Sequence, residues 1–147
     1  MLCSKCGKQK ANDRSLFCSR CCSLPLKILY VDKDQGMRAL FIRLLDFLGF
    51  ESQAESSTGE ALKKLREEHF DLVIAEFEMP EMDGRELARR IKIIRPMCPV
   101  LLLAGPDMSL DAEAEKSNGI DAIVVRPTTV EVLHAEILKI FSIRNLE

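Results

Sequence analysis

Nowhere does this 147-residue sequence hold the roughly 18 consecutive apolar residues that a membrane-crossing helix needs. Its first residues, MLCSKCGKQK, lack the apolar core of a secretory signal. There is no internal repeat and no low-complexity tract. Histidine is scarce: His69 and His134 stand far apart and read as solvated helix positions. The net charge of −2 is too small to imply a partner. Together these absences point to a cytoplasmic chain without a membrane partner, with its cysteines reduced. No output domain is expected beyond residue 147, so a signal would pass by docking.

What is present is a globular composition, 47% apolar and 30% charged, enough for one domain and a small appendage. Residues 1–22 carry Lys5, Lys8, Lys10, Arg14 and Arg20 against Asp13 alone, a local charge of +4. Five of the six cysteines lie in the same stretch. This step in composition marks a boundary near Cys22-Ser23-Leu24-Pro25, dividing a head of residues 1–24 from a body of residues 25–147.

In the head, Cys3 and Cys6 form one CxxC pair and Cys18 and Cys21 another, with eleven residues between. Two such turns supply the four thiolates of a tetrahedral zinc site. So short a segment cannot bury a core, and a structural Zn²⁺ would hold it together. Cys22 could replace Cys21 as the fourth ligand, and a redox dithiol pair is the alternative use of these thiols. Four thiolates and Zn²⁺ reduce the +4 to about +2, and only Phe17 could stack on a base. The head reads as an interaction or capping module, and nucleic acid is not expected as a partner. The pattern CxxCG…FCxxC over residues 3–21 resembles short bacterial zinc ribbons.

From Leu26 onward strand and helix patterns alternate. LKILYV (26–31), a weak strand at Phe50–Ala54, DLVIA (71–75), PVLLLA (99–104) and DAIVV (121–125) read as strands. Between them lie helical spacings: Met37 to Leu48 closed by Gly49, a second opened by Thr58, Leu87 to Ile94 ended by Pro96, a polar helix over 109–118, and Val130 to Phe141. Glu113, Glu115 and Lys116 read as a solvated face, and Cys98 as a small core residue. Runs such as LVIA and VLLL, apolar throughout, imply strands buried on both faces. Five β-then-α units predict a (βα)5 doubly wound parallel sheet with its functional crevice beyond the carboxyl ends of the strands. Asp32-Lys33-Asp34, Glu76, Ala104-Gly105 and Arg126-Pro127 stand at those ends.

The landmarks ILYVDKD, DLVIAEFEMPEMDG, PVLLLAG and DAIVVRP make residues 26–143 resemble a response-regulator receiver domain, the flavodoxin-like module of two-component signalling. The resemblance implies transfer of a phosphoryl group from a histidine kinase to an Asp, with Mg²⁺, a Lys and a hydroxyl in support. This chain departs from that set. The acceptor position is Glu76, one methylene longer than Asp, and the second acid after strand one is Lys33, so Mg²⁺ is not expected. The hydroxyl position is Ala104, the Lys position Arg126 and the aromatic switch position Ile123. Asp32 and Pro127 match, and the resemblance implies a cis Arg126-Pro127 bond. Asp34 reads as a helix N-cap. Asp32, Lys33, Glu76 and Arg126 are expected to form an ion network that holds one state without phosphate. The expectation is therefore a pseudo-receiver, not an enzyme, acting by protein–protein binding. Its partners would be a histidine kinase, another signalling protein or a second copy, and the resemblance implies that they dock on a face including Val125, Leu133 and Ile137 neighbours. The alternatives are a phosphoacceptor modified at an acid of the Asp32/Glu76 crevice and a nucleic-acid-binding regulator acting through the ribbon.

Overall fold

A computed structural model describes residues 26–108 and 118–146, with side chains as far as Phe141. The head, with Cys3, Cys6, Cys18, Cys21 and Cys22, lies outside the described residues. So does the expected polar helix over 109–118, apart from Asn118.

Among the described residues the order is β1 (Lys27–Val31), α1 (Gln35–Phe47), β2 (Glu51–Glu55), α2 (Thr58–Glu67), β3 (Leu72–Glu76), α3 (Gly84–Ile94), β4 (Val100–Ala104), β5 (Ala122–Val125) and α4 (Val130–Leu146). The five strands form one parallel sheet in the order β2-β1-β3-β4-β5. Alternate residues of each strand point to opposite faces, which sorts the core into two layers. Leu29, Val31, Val73, Ala75, Leu102 and Ala104 pack under α2 and α3. Ile28, Tyr30, Leu72, Ile74, Leu101, Leu103 and Val124 pack under α1 and α4. Because β1, β3 and β4 are covered on both faces, their polar side chains are confined to the strand ends. That confinement is what gathers the crevice residues.

Local chemistry decides where each element starts and stops. Asp34 caps α1, its Oδ1 accepting from the Gly36 and Met37 amides at 2.8 and 3.3 Å. Gly49, at φ +91°, takes the left-handed turn that ends α1. The next amide, of Phe50, still bonds to the Leu45 carbonyl, so β2 begins at Glu51 rather than at Phe50. Ser57 caps α2 and Asp83 caps α3. His69 is largely exposed, as expected, but His134 is half-buried, its ring edge-on to Phe50. Cys98 is buried.

Asp121 joins the entry of β5 to its neighbours: its Oδ2 accepts from the Val100 amide at 2.8 Å and from Lys92 Nζ at 2.9 Å. Removing that acceptor strands the Val100 amide at a strand start. Asp121→Ala is expected to cost about 1–2 kcal/mol, read as a lower urea midpoint at unchanged m-value.

Candidate functional site

In this strand order β1 and β3 lie side by side where the winding reverses, and a doubly wound sheet opens its crevice at that point. Asp32 follows β1 and Glu76 ends β3 there. Arg126 follows β5 and reaches across to both.

Asp32 is 2% exposed, and the protein itself uses every polar group it has. Its amide donates to the Glu55 carbonyl at 3.1 Å, and its carbonyl accepts from Arg38 Nη1 at 2.8 Å. Its Oδ1 accepts from the Asp34 amide at 2.9 Å. Its Oδ2 accepts from the Tyr30 hydroxyl at 2.7 Å and lies 3.5 Å from Arg126 Nη2. A buried carboxylate needs such partners, since burial without them is costly.

Glu76 Oε2 lies 2.6 Å from Arg126 Nη2. Neither atom has an aligned hydrogen-bond partner, so the contact is one of charge on charge rather than a guanidinium–carboxylate fork. The attraction at that distance does not depend on the angle, and the pair counts as an ion pair. Burial pushes the Glu76 carboxyl above the ordinary carboxylate range. Arg126 opposes that shift, Asp32 adds to it and Lys33 opposes it. Desolvation outweighs the nearest cation. Burial also drives the Tyr30 phenol well above its ordinary range, and its bond to Asp32 adds to the effect.

Of the residues expected in the crevice, the structure brings together Asp32, Glu76 and Arg126. Lys33 is exposed and acts on Glu76 only through its field. Ala104 is fully buried and offers the site only its carbonyl, which accepts from the Arg126 amide at 2.8 Å. Ile123 is half-buried and packs toward the α2/α3 layer. Pro127 is exposed, and the Arg126-Pro127 bond is cis. Among the described residues no three of His, Cys, Asp and Glu converge as a metal-ligand group.

The sequence reading missed Tyr30 and Arg38. Tyr30 looked like one more apolar strand residue. Its signal was the period of two: on a strand, residues 30 and 32 share a face, and a phenol there can reach the carboxylate. Arg38 offered no comparable signal, because its bond is to a backbone carbonyl.

Comparisons with known proteins identify the family and the fold. The family profile of the response regulator receiver domain matches residues 28–138. The transcriptional regulatory protein GlrR of Escherichia coli (strain K12) is 32% identical over 113 residues, covering 77% of this chain and 26% of that protein. The sensor protein EvgS of the same strain is 28% identical over 121 residues, covering 82% of this chain and 10% of that protein. The chain thus spans about a quarter or less of the length of these relatives. A receiver domain protein from Clostridium thermocellum superimposes with a TM-score of 0.76 at 28% identity, over 82% of this chain and 98% of that one. A CheY-like receiver protein from Methanospirillum hungatei JF-1 superimposes with a TM-score of 0.73 at 27% identity, over 80% of this chain and 94% of that one.

Proposed function

Because the chain belongs to the response regulator receiver family of two-component signalling, we propose that it works as a pseudo-receiver, a binding module whose crevice is closed by its own ion pair instead of by phosphate and metal. The observation that carries this reading is the 2.6 Å contact of Arg126 with Glu76.

Phosphoryl transfer to a carboxylate needs that carboxylate free, held in line with the donor, and flanked by fixed groups aimed at the charge that develops in the transition state. Glu76 fails the first two of these needs. Its oxygen is already in contact with a guanidinium, and the extra methylene moves it from the place an Asp oxygen would take. The crevice also does not suit Mg²⁺, which asks for several hard oxygen donors in a near-octahedral array. Arg126 fills the space between the two acids, and Lys33 adds a second positive charge beside them. Ala104 has no hydroxyl to grip a phosphoryl oxygen and pull the β4 loop toward it.

What remains is a rigid α/β surface for docking. A histidine kinase or another signalling protein is the partner class that suits a receiver. Among the described residues, Val125, Val130 and Val132 are exposed apolar side chains on β5 and α4, and they belong to the surface this reading assigns to docking. The head remains part of the proposal as a structural Zn²⁺ site at Cys3, Cys6, Cys18 and Cys21 or Cys22.

Intact-mass spectrometry after acetyl phosphate and Mg²⁺ tests the reading. The expected result is an unmodified chain, and under native conditions one bound zinc. A phosphoryl adduct would overturn the proposal and send the search to the acid that carries it.

A further inference from the structure

We propose that Tyr30 is a positioning residue that withholds Asp32 from cations: its hydroxyl holds the carboxylate oxygen on the Arg126 side and keeps Asp32 a structural acid. This inference rests on the pseudo-receiver reading and extends it to a residue outside the substituted positions.

Asp32 is the one acid of the crevice that matches the family pattern, so its carboxylate is the group that should still invite a metal. Of the two crevice acids it is the one the protein has closed more completely. The donors on its two oxygens are the Tyr30 hydroxyl at 2.7 Å and the Asp34 amide at 2.9 Å, with Arg126 Nη2 beside the former at 3.5 Å. The Asp32 main chain is fastened on both sides as well, to Glu55 and Arg38. A carboxylate so pinned cannot turn to meet a cation without breaking a buried bond. Bonds to charged groups are the strong ones.

Tyr30 is itself placed with little freedom. It is fully buried, and its ring stacks on Phe41 with centroids 4.2 Å apart and planes 8° from parallel. That stack aims the hydroxyl along the strand toward Asp32. The hydroxyl has no other acceptor among the described contacts, so Tyr30 and Asp32 satisfy each other. A phenylalanine at position 30 would keep the stack and lose only the lock.

The test is calorimetric titration of full-length chains with MgCl₂, each first shown folded by circular dichroism. Wild type should show no binding. Lys33→Asp, Glu76→Asp and Arg126→Lys together restore the family's charges while leaving Tyr30 in place. Adding Tyr30→Phe to these three should tighten Mg²⁺ binding roughly tenfold, the equivalent of one hydrogen bond to a charged group. Equal affinities with and without Tyr30→Phe, or no binding by either, would overturn the role of Tyr30. Mg²⁺ binding by wild type would instead overturn the pseudo-receiver reading itself. A second measurement needs no variant. The chain has one tyrosine and no tryptophan, so a single downfield, solvent-protected tyrosine hydroxyl proton is expected by NMR. A hydroxyl proton in exchange with water would also refute the lock.

Discussion

Arg126→Met is expected to destabilise the folded chain by about 2–3 kcal/mol at neutral pH, as the loss of the cation that lies against both carboxylates leaves two enclosed acids facing each other. The loss falls at or below the low end for a broken buried pair because the Arg126 side chain keeps 28% of its exposure, against 14% for Glu76 and 3% for Asp32. The loss should depend on pH, and the sign follows from Glu76. Its folded carboxyl already binds its proton more tightly than the ordinary value of 4.5, because burial outweighs Arg126. Such a group favours the folded state most when protonated, below 4.5, and that contribution is lost as pH rises through the raised folded value. Taking away Arg126 removes an influence that lowers this carboxyl, so the folded value climbs further and the window widens upward. The deficit measured by urea unfolding at pH 7 should therefore shrink when the same pair of proteins is compared at pH 5. A deficit that is the same at both values would mean that Arg126 stabilises by packing alone. Glu76→Gln added to Arg126→Met should recover at least about 1 kcal/mol of the loss, since the buried charge disappears with its partner.

Gly84→Val is expected to cost about 2–3 kcal/mol, through steric conflict rather than lost backbone freedom. Gly84 opens α3 with an ordinary negative φ, so nothing in its conformation demands glycine. What excludes a side chain is space. A Cβ there would stand 2.6 Å from Leu102 Cδ1 and 3.2 Å from the Phe77 Cα. Leu102 is fully buried in β4, an interior strand of the sheet, and Phe77 is buried just after Glu76, so neither can retreat cheaply. The Gly84 amide also donates to the Phe77 carbonyl at 2.7 Å, closing the loop that positions Glu76. Gly59 supplies the contrast. A Cβ at that position in α2 would meet nothing within 4 Å, and Gly59→Ala should stabilise by about 0.5–1 kcal/mol. Thermal melts of the two variants should move in opposite directions. A shift of the same sign in both would show that backbone entropy, not the close approach at Leu102, governs Gly84.

The two glycines show where sequence reading succeeds and where it stops. In MPEMDG the glycine was legible as part of a loop, but its reason for being glycine was not. The clash partner, Leu102, lies in a strand 18 positions away in sequence, and only β3–β4 pairing brings it near. Asp83 is similar in kind: its capping of α3 is local and could have been read from the acid three residues before Glu86. Strand limits were read to within a residue because apolar runs end where burial ends. The start of β2 slipped by one because the Phe50 amide stays bonded to the end of α1, and local pattern does not report which partner an amide takes.

The sequence by itself determined the doubly wound sheet, the crevice at its carboxyl edge and the residue types that stand there, because hydrophobic period and strand ends are properties of neighbouring residues. It left open which cation answers Glu76, offering Lys33 and Arg126 alike. Tertiary structure decided for Arg126, since β5 lies two strands from β3 and its long side chain reaches back across the crevice, while Lys33 turns to solvent. It also decided that Tyr30 belongs to the site. A phenol reads as core until the fold shows the carboxylate at its tip, and contacts of that kind exist only once the strands are packed.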